Sequence, residues 1–310
     1  FFFILIRLIP LTKSAIQQRQ AYLAVMASVD VILHRFDELE ANRDPVGGSY
    51  QLVHLNKAIE FKNVSFSYPQ MAQNSQQGAA LRNISLTIPA GKVTALVGPS
   101  GAGKSTLVEL LPRLRTPQLG EILYDGINQH SFSTKSLRQA VAVAPQLAQI
   151  FNVTVNEHIR YGKPDASRDE VVGAAKLAHA HDFIESLPEG YDTRLNSEGT
   201  RISGGERQRV DLARTLIRQA PIIVLDEPTA NLDAVSEARF RSALDKIRSS
   251  TEIAVVIIAH RLSTVKGADQ IIVLNNGEVV ETGSHQELLQ HNEWYGRAFM
   301  TQHNEEDTLL

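Results

Sequence analysis

Residues Gly98, Pro99, Ser100, Gly101, Ala102, Gly103, Lys104 and Ser105 spell G-x-x-x-x-G-K-S, with Thr106 directly after. Glycines at this spacing permit a tight loop whose backbone N–H groups point inward at phosphate oxygens, and a helix start adds partial positive charge. In such a cradle Lys104 reaches the β- and γ-phosphates, while the Ser105 hydroxyl suits a Mg²⁺ ligand. A second element, Ile222 to Glu227, is a short apolar run ending in two carboxylates. Asp226 suits a Mg²⁺ shell, and Glu227 suits a base that orients or deprotonates an attacking water. A third is Ser203 followed by Gly204 and Gly205, which at a helix start make a second anion site. Two anion sites far apart on one chain's surface cannot close on a single γ-phosphate.

The elements that must hold these groups are legible. Val93 to Val97 reads as a strand feeding the glycine loop, and Lys104 to Leu111 as the helix leaving it. Ile222 to Leu225 and Ala254 to Ala259 are short apolar runs between polar residues, the pattern of buried parallel strands. Earlier, Ile59, Phe61, Val64, Phe66 and Tyr68, then Ile84, Leu86 and Ile88, follow a period of two that predicts two further strands. Gln70 to Ala80 between them lacks apolar periodicity and is expected to be a solvated loop. Val153 to Leu187 is Ala-rich and helical in pattern, a subdomain inserted into an α/β core.

The segment Ile202 to Arg209, I-S-G-G-E-R-Q-R, closely resembles the signature of ABC-type ATPases, whose usual form is L-S-G-G-Q. Ile202 and Glu206 depart from it and leave the Ser and Gly pair intact. The resemblance runs over residues 57 to 300 with its motifs in order, and it implies several roles. The signature of one subunit would cover ATP held by the other in a head-to-tail dimer, expected to be a homodimer. Tyr68, in F-S-Y-P, is placed like the aromatic residue on which adenine stacks. Gln146 resembles the glutamine that senses the γ-phosphate and Mg²⁺ and touches the membrane domain, although Ala144, Leu147 and Ala148 around it are less common choices. Asp233, in A-N-L-D, is similar to the aspartate of the loop that crosses the dimer interface, with Ala230 and Asn231 in place of the more frequent Ser and Ala. His260 resembles the switch histidine that contacts the γ-phosphate. Glu198 and Gly199 resemble the short loop that meets the coupling helices in exporters.

Composition narrows the classes. Net charge is -3, from 31 basic and 34 acidic residues, which argues against a nucleic-acid partner. There is no cysteine, so disulfide frameworks and thiolate metal sites are excluded. The chain opens on Phe1 rather than Met, and Phe1 to Ile9 is apolar except for Arg7. This run is expected to be the last part of a membrane helix cut from something longer, since a full span takes about 20 apolar residues. Ile16, Leu23, Met26, Val29, Leu33, Phe36 and Leu39 then recur at steps of three, four or seven, predicting an amphipathic cytoplasmic extension.

The expected fold is α/β, a P-loop NTPase with a RecA-like core, an antiparallel β subdomain and a helical subdomain, preceded by a long helix from a membrane domain. Residues 1–45 are assigned to the end of that membrane domain, 46–56 to a linker and 57–310 to the ATP-binding domain. The implied function is ATP hydrolysis driving export, with ATP and Mg²⁺ bound and the ATPase domain on the cytoplasmic face of a membrane. A non-transport ABC ATPase acting on ribosome or DNA is the alternative. A catalytically idle relative would be expected to lack Glu227 or His260, and both are present.

Overall fold

The computed structural model describes residues 2–41, 47–68, 79–195, 202–228, 237–238, 242, 244, 253–259, 262–291 and 293–308. The chain divides into two compact units, Phe1–Val46 and Gly47–Leu310.

The first unit is one helix, Phe2–Ala41, which runs through Pro10. A lone helix cannot bury a face within its own unit. Val25, Val31 and Ile32 fall between the periodic positions, so apolar character is spread round the axis and the expected single stripe is not formed. Among the described residues no helix is long and apolar enough to cross a membrane.

The second unit is built on two sheets. A six-stranded sheet has the order β10-β9-β3-β8-β7-β6, comprising β3 (Val93–Val97), β6 (Val141–Ala144), β7 (Ile222–Asp226), β8 (Ala254–Ile258), β9 (Gln270–Asn275) and β10 (Glu278–Gly283). Its neighbours pair in parallel except for the antiparallel β9–β10 hairpin. The second sheet is antiparallel, in the order β2-β1-β4-β5: β1 (Ala58–Ser67), β2 (Ala79–Pro89), β4 (Leu119–Tyr124) and β5 (Ile127–Asn128). The expected pair around Ile59 to Ile88 is thus half of a larger sheet. Of the segment Gln70 to Ala80, Ala79 and Ala80 already belong to β2 and the rest lies outside the described residues.

Continuous apolar strands arise because the parallel sheet is covered on both faces. Side chains alternate across it. Val93, Ala95 and Val97, Ile223 and Leu225, and Val255 and Ile257 enter a core shared with the helices Val155–Arg160, Arg168–Leu177 and Gly204–Leu216. Leu96, Ile222, Val224, Val256 and Ile258 enter another, shared with β1, β2 and the helices Lys104–Leu110 and Thr134–Ala140.

Much of the expected linker is tied into this unit. Gly48 N–H donates to His130 O at 3.0 Å, Ser133 N–H to Tyr50 O at 2.9 Å, and Leu52 N–H to Ser136 Oγ at 2.6 Å. Asp125, at the β4–β5 turn, accepts from the N–H groups of Asn56, Lys57 and Ala58. These donors hold its carboxyl below the usual carboxylate range against the opposing effect of burial.

Candidate functional site

The glycine loop leaves the buried end of β3. Gly98 has φ 144, and a Cβ there would lie 2.0 Å from Leu274 O of β9, so only glycine lets the loop pass. Gly103 is the N-cap of helix Lys104–Leu110, left-handed and without a side-chain cap, so no side chain competes with a ligand for the first N–H groups. The outward carbonyls of the loop are satisfied by protein donors. Lys104 Nζ donates to Gly98 O at 2.8 Å and to Pro99 O at 2.9 Å, and Gly277 N–H donates to Ala102 O at 3.2 Å. Ala102 N–H closes the loop on Pro99 O at 3.2 Å. Lys104 is buried, and burial pushes its ammonium below the usual lysine value, opposed by the charges of Glu227 and Asp226.

A cleft of about 710 Å³ opens over the loop, lined by Ser100 to Thr106 together with Tyr68, Arg82, Glu227, Asn276 and Gly277. The Tyr68 hydroxyl lies 3.2 Å from Thr106 Oγ1, its ring meets Phe66 edge-on at 5.0 Å, and the Arg115 guanidinium lies 5.3 Å from its centroid. Tyr68 is therefore half-buried and braced while still facing the cleft, the posture a stacking platform requires.

Asp226 closes β7, next to Glu227. Glu227 takes φ 45, uncommon for a residue with a side chain, and is held there by its N–H bond to Ile258 O at 2.9 Å. Its carboxylate accepts a hydrogen bond from the Gln146 side-chain amide. Gln146, Glu227 and the loop are thereby brought together.

Ser203 is the N-cap of the thirteen-residue helix Gly204–Leu216. Its Oγ accepts from Glu206 N at 3.2 Å, and its own N–H donates to Glu206 Oε2 at 2.7 Å, a capping box. Ser203 and Gly204 are exposed and Gly205 is buried. The described lining of the large cleft includes none of these three; Gly204 instead lines a separate cavity of about 470 Å³ with Gln146 and Arg207. Asp233, His260, Glu198 and Gly199 lie outside the described residues.

Among the described residues no group of three or more His, Asp or Glu is arranged to hold a metal ion. The oxygens of Ser105, Gln146 and Asp226 nevertheless form a hard donor set of the kind Mg²⁺ accepts, because that ion keeps few protein ligands and shares substrate phosphates.

Arg82 and the Asn276–Gly277 turn were not foreseen. Asn276 at φ 48 and Gly277 at φ 80 form the sharp turn of the β9–β10 hairpin, and Arg82 N–H donates to Gly277 O at 2.7 Å. An Asn-Gly pair between apolar runs signals such a turn, but nothing in it says the turn abuts a loop 170-odd residues earlier.

Residues 81–230 match the family described as ABC transporter. Residues 81–230 of this chain form a domain of the ABC transporter family. The chain is 43% identical over 266 residues to the ATP-dependent lipid A-core flippase of Haemophilus influenzae (strain 86-028NP), covering 86% of this chain and 44% of that protein. It is 40% identical over 310 residues to the heterocyst differentiation ATP-binding protein HepA of Nostoc sp., covering 99% of this chain and 49% of that one. The structure of a bacterial Atm1-family ABC exporter with ATP bound matches with a TM-score of 0.80 and 36% identity, over 90% of this chain and 48% of that chain. The chain spans less than half the length of these relatives. The domain is an ATPase of the ABC class.

Proposed function

We propose that this chain drives export of a substrate across a membrane by binding and hydrolysing ATP, as the ATPase part of an exporter whose membrane domain is fused to it. The observation that carries this reading is the cleft in which Tyr68, Ser100 to Thr106 and Glu227 meet, with Gln146 bonded to Glu227. The relatives, a lipid A-core flippase and a β-(1→2)glucan export protein among them, support the transport class.

In this reading adenine stacks on Tyr68, the loop N–H groups hold the phosphates, and Lys104 turns from its two carbonyl partners to the β- and γ-phosphates. Ser105, Asp226 and Gln146 hold Mg²⁺, which when bound neutralises charge on the β- and γ-oxygens. Glu227 orients a water and accepts its proton as the water oxygen attacks the γ-phosphorus. The bond from that phosphorus to the bridging oxygen breaks, leaving ADP and phosphate. His260 is assigned to the γ-phosphate. Ser203, Gly204 and Gly205, with the Asp233 loop, cover the ATP of a second copy in a head-to-tail homodimer, since one chain carries every element of the composite site. The ATPase domain then lies on the cytoplasmic face of the membrane, the inner membrane in a bacterial cell. Closure of the pair drives the membrane domain, and hydrolysis resets it.

The test is Glu227→Gln in a phosphate-release assay, with the molar mass followed by light scattering at saturating MgATP. Turnover is expected to fall about a hundredfold or more while ATP still binds and a dimer accumulates. Adding Ser203→Arg should return the sample to monomer. Undiminished turnover in Glu227→Gln overturns the catalytic assignment, and a Glu227→Gln chain that stays monomeric in ATP overturns the homodimer of this chain alone.

A further inference from the structure

The segment between Gln146 and the helix Gly204–Leu216 contains a buried polar junction that the proposed mechanism leaves unused. His158 is fully buried on helix Val155–Arg160, and Asp211 is 2% exposed on the signature helix. His158 Nε2 faces Asp211 Oδ1 at 3.6 Å, longer than a hydrogen bond, and neither atom has a hydrogen-bond partner. On the other side of the ring, Phe151 N–H points to His158 Nδ1 at 3.5 Å. The ring is thus set between the Phe151 N–H and the Asp211 carboxylate. Asp211 Oδ1 forms an ion pair with Arg214 Nη2 at 2.7 Å, and the Arg214 guanidinium lies 5.3 Å from the Phe151 ring centroid. The Phe151 ring in turn sits 5.3 Å from the His158 ring.

Two ionisable side chains without water around them are costly unless each serves the other, so their pairing fixes where both backbones lie. Phe151 stands five residues beyond Gln146, on the stretch whose glutamine touches Glu227. Asp211 and Arg214 stand on the helix whose first residue is capped by Ser203. Apolar packing alone would hold these segments together and still let them slide; two buried polar side chains that face each other, with Arg214 on the carboxylate, favour one register.

We propose that His158 and Asp211 are positioning residues that fasten the stretch following Gln146 to the signature helix, so that Gln146 with its Glu227 contact and Ser203 with its anion site move as one body. This rests on the roles proposed above for Gln146, Glu227 and Ser203. Neither His158 nor Asp211 touches nucleotide in this reading.

Three variants of this chain test it: His158→Ala, Asp211→Asn, and the double replacement His158→Leu/Asp211→Val. ATP-analogue binding, steady-state turnover and melting temperature are measured for each. Either single change should lower the melting temperature, because it strands a buried polar partner. The apolar pair should recover it, since two buried partners replaced together leave no orphan and Arg214 can turn to the open groove it lines. Binding of the analogue to the cradle should stay within about twofold of wild type in all three, while maximal turnover falls about fivefold or more and stays low in the double variant, a loss within the usual size of coupling between sites. Recovery of turnover along with melting temperature in the double variant overturns the proposal, because the pair then serves stability alone. Unchanged turnover in both single variants overturns it as well. An inactive wild-type chain that still binds ATP would instead count against the ATPase reading beneath it, a result distinguishable from either.

Discussion

The two anion sites of this domain are built from different materials. At Gly98 to Ser105 the ligands are backbone groups, and the loop is fixed by contacts from two strands and a turn: Leu274 O of β9 against Gly98, Ala80 O of β2 against Gly103, and the N–H bond from Gly277 of the β9–β10 turn to Ala102 O. At Ser203 the site is one exposed side chain at a helix start, and that side chain already serves Glu206. The first is complete within one chain; the second has an exposed face and its principal hydroxyl engaged in its own capping box. Preorganisation is therefore concentrated where ATP must be bound, while the signature offers only half a site until another surface meets it.

Changing Lys104 to Ala should do the most damage to this contrast. It removes the cation assigned to the phosphates and also the donor that now satisfies Gly98 O and Pro99 O. A lost hydrogen bond to a charged group is worth roughly 1.5–3 kcal/mol, so MgATP affinity should fall about tenfold to a hundredfold or more. Titration with a fluorescent ATP analogue measures it, and wild-type affinity would mean that the cradle holds phosphate without its lysine.

Tyr68→Ala comes next, with binding weakened on the order of 1–3 kcal/mol by analogy with bases stacked on aromatic residues. Tyr68→Phe should change little, since it keeps the ring and loses only the hydroxyl contacts to Thr106 and Glu109. Normal binding in both variants would make Tyr68 a packing residue of its strand end.

Glu206→Ala sharpens the other side of the comparison. It removes the carboxylate that accepts the Ser203 N–H bond and should cost about 1 kcal/mol of stability, in the range of lost helix caps. Thermal melting would register this, while analogue binding at the cradle should not change. Loss of cradle affinity would show that the two sites are already coupled within one chain.

The same contrast explains what could be read from the amino-acid order. Groups that act through contiguous backbone were legible: Gly98 to Ser105 between a strand and a helix, Asp226 and Glu227 at a strand end, and Ser203 before two glycines all carry their context beside them. What depends on distant partners was not. Gly277 reaches Ala102, Gln146 reaches Glu227 and His158 reaches Asp211 only because parallel strands and their crossovers bring remote segments together. Strand β6, only four residues long, carries too little periodicity to be recognised, and β4 and β5 are short partners of the longer β1. The helix of the first unit was legible as a helix, but Val25, Val31 and Ile32 lie between its periodic apolar positions and blur the face.

The smallest expected effect is that of removing residues 1–45. The Phe2–Ala41 helix belongs to a unit of its own, with Phe2, Phe3, Ile4, Leu8 and Leu11 exposed, and carries none of the residues assigned to ATP. ATP-analogue affinity should be unchanged, and solubility should rise as that apolar surface goes. The cut has to stop there. Leu52 and Leu55 are 7% and 3% exposed and belong to the core beneath the antiparallel sheet, and Tyr50 and Leu52 bond to the segment around Ser133 and Ser136. Removing residues 1–56 should therefore lower the melting temperature, since emptying a buried leucine site costs about 2–5 kcal/mol. Affinity lost on removing 1–45 would show that the helix supports the ATP site, whereas equal melting temperatures for the two truncations would show that Gly48 to Leu55 act as a tether and add nothing to the fold.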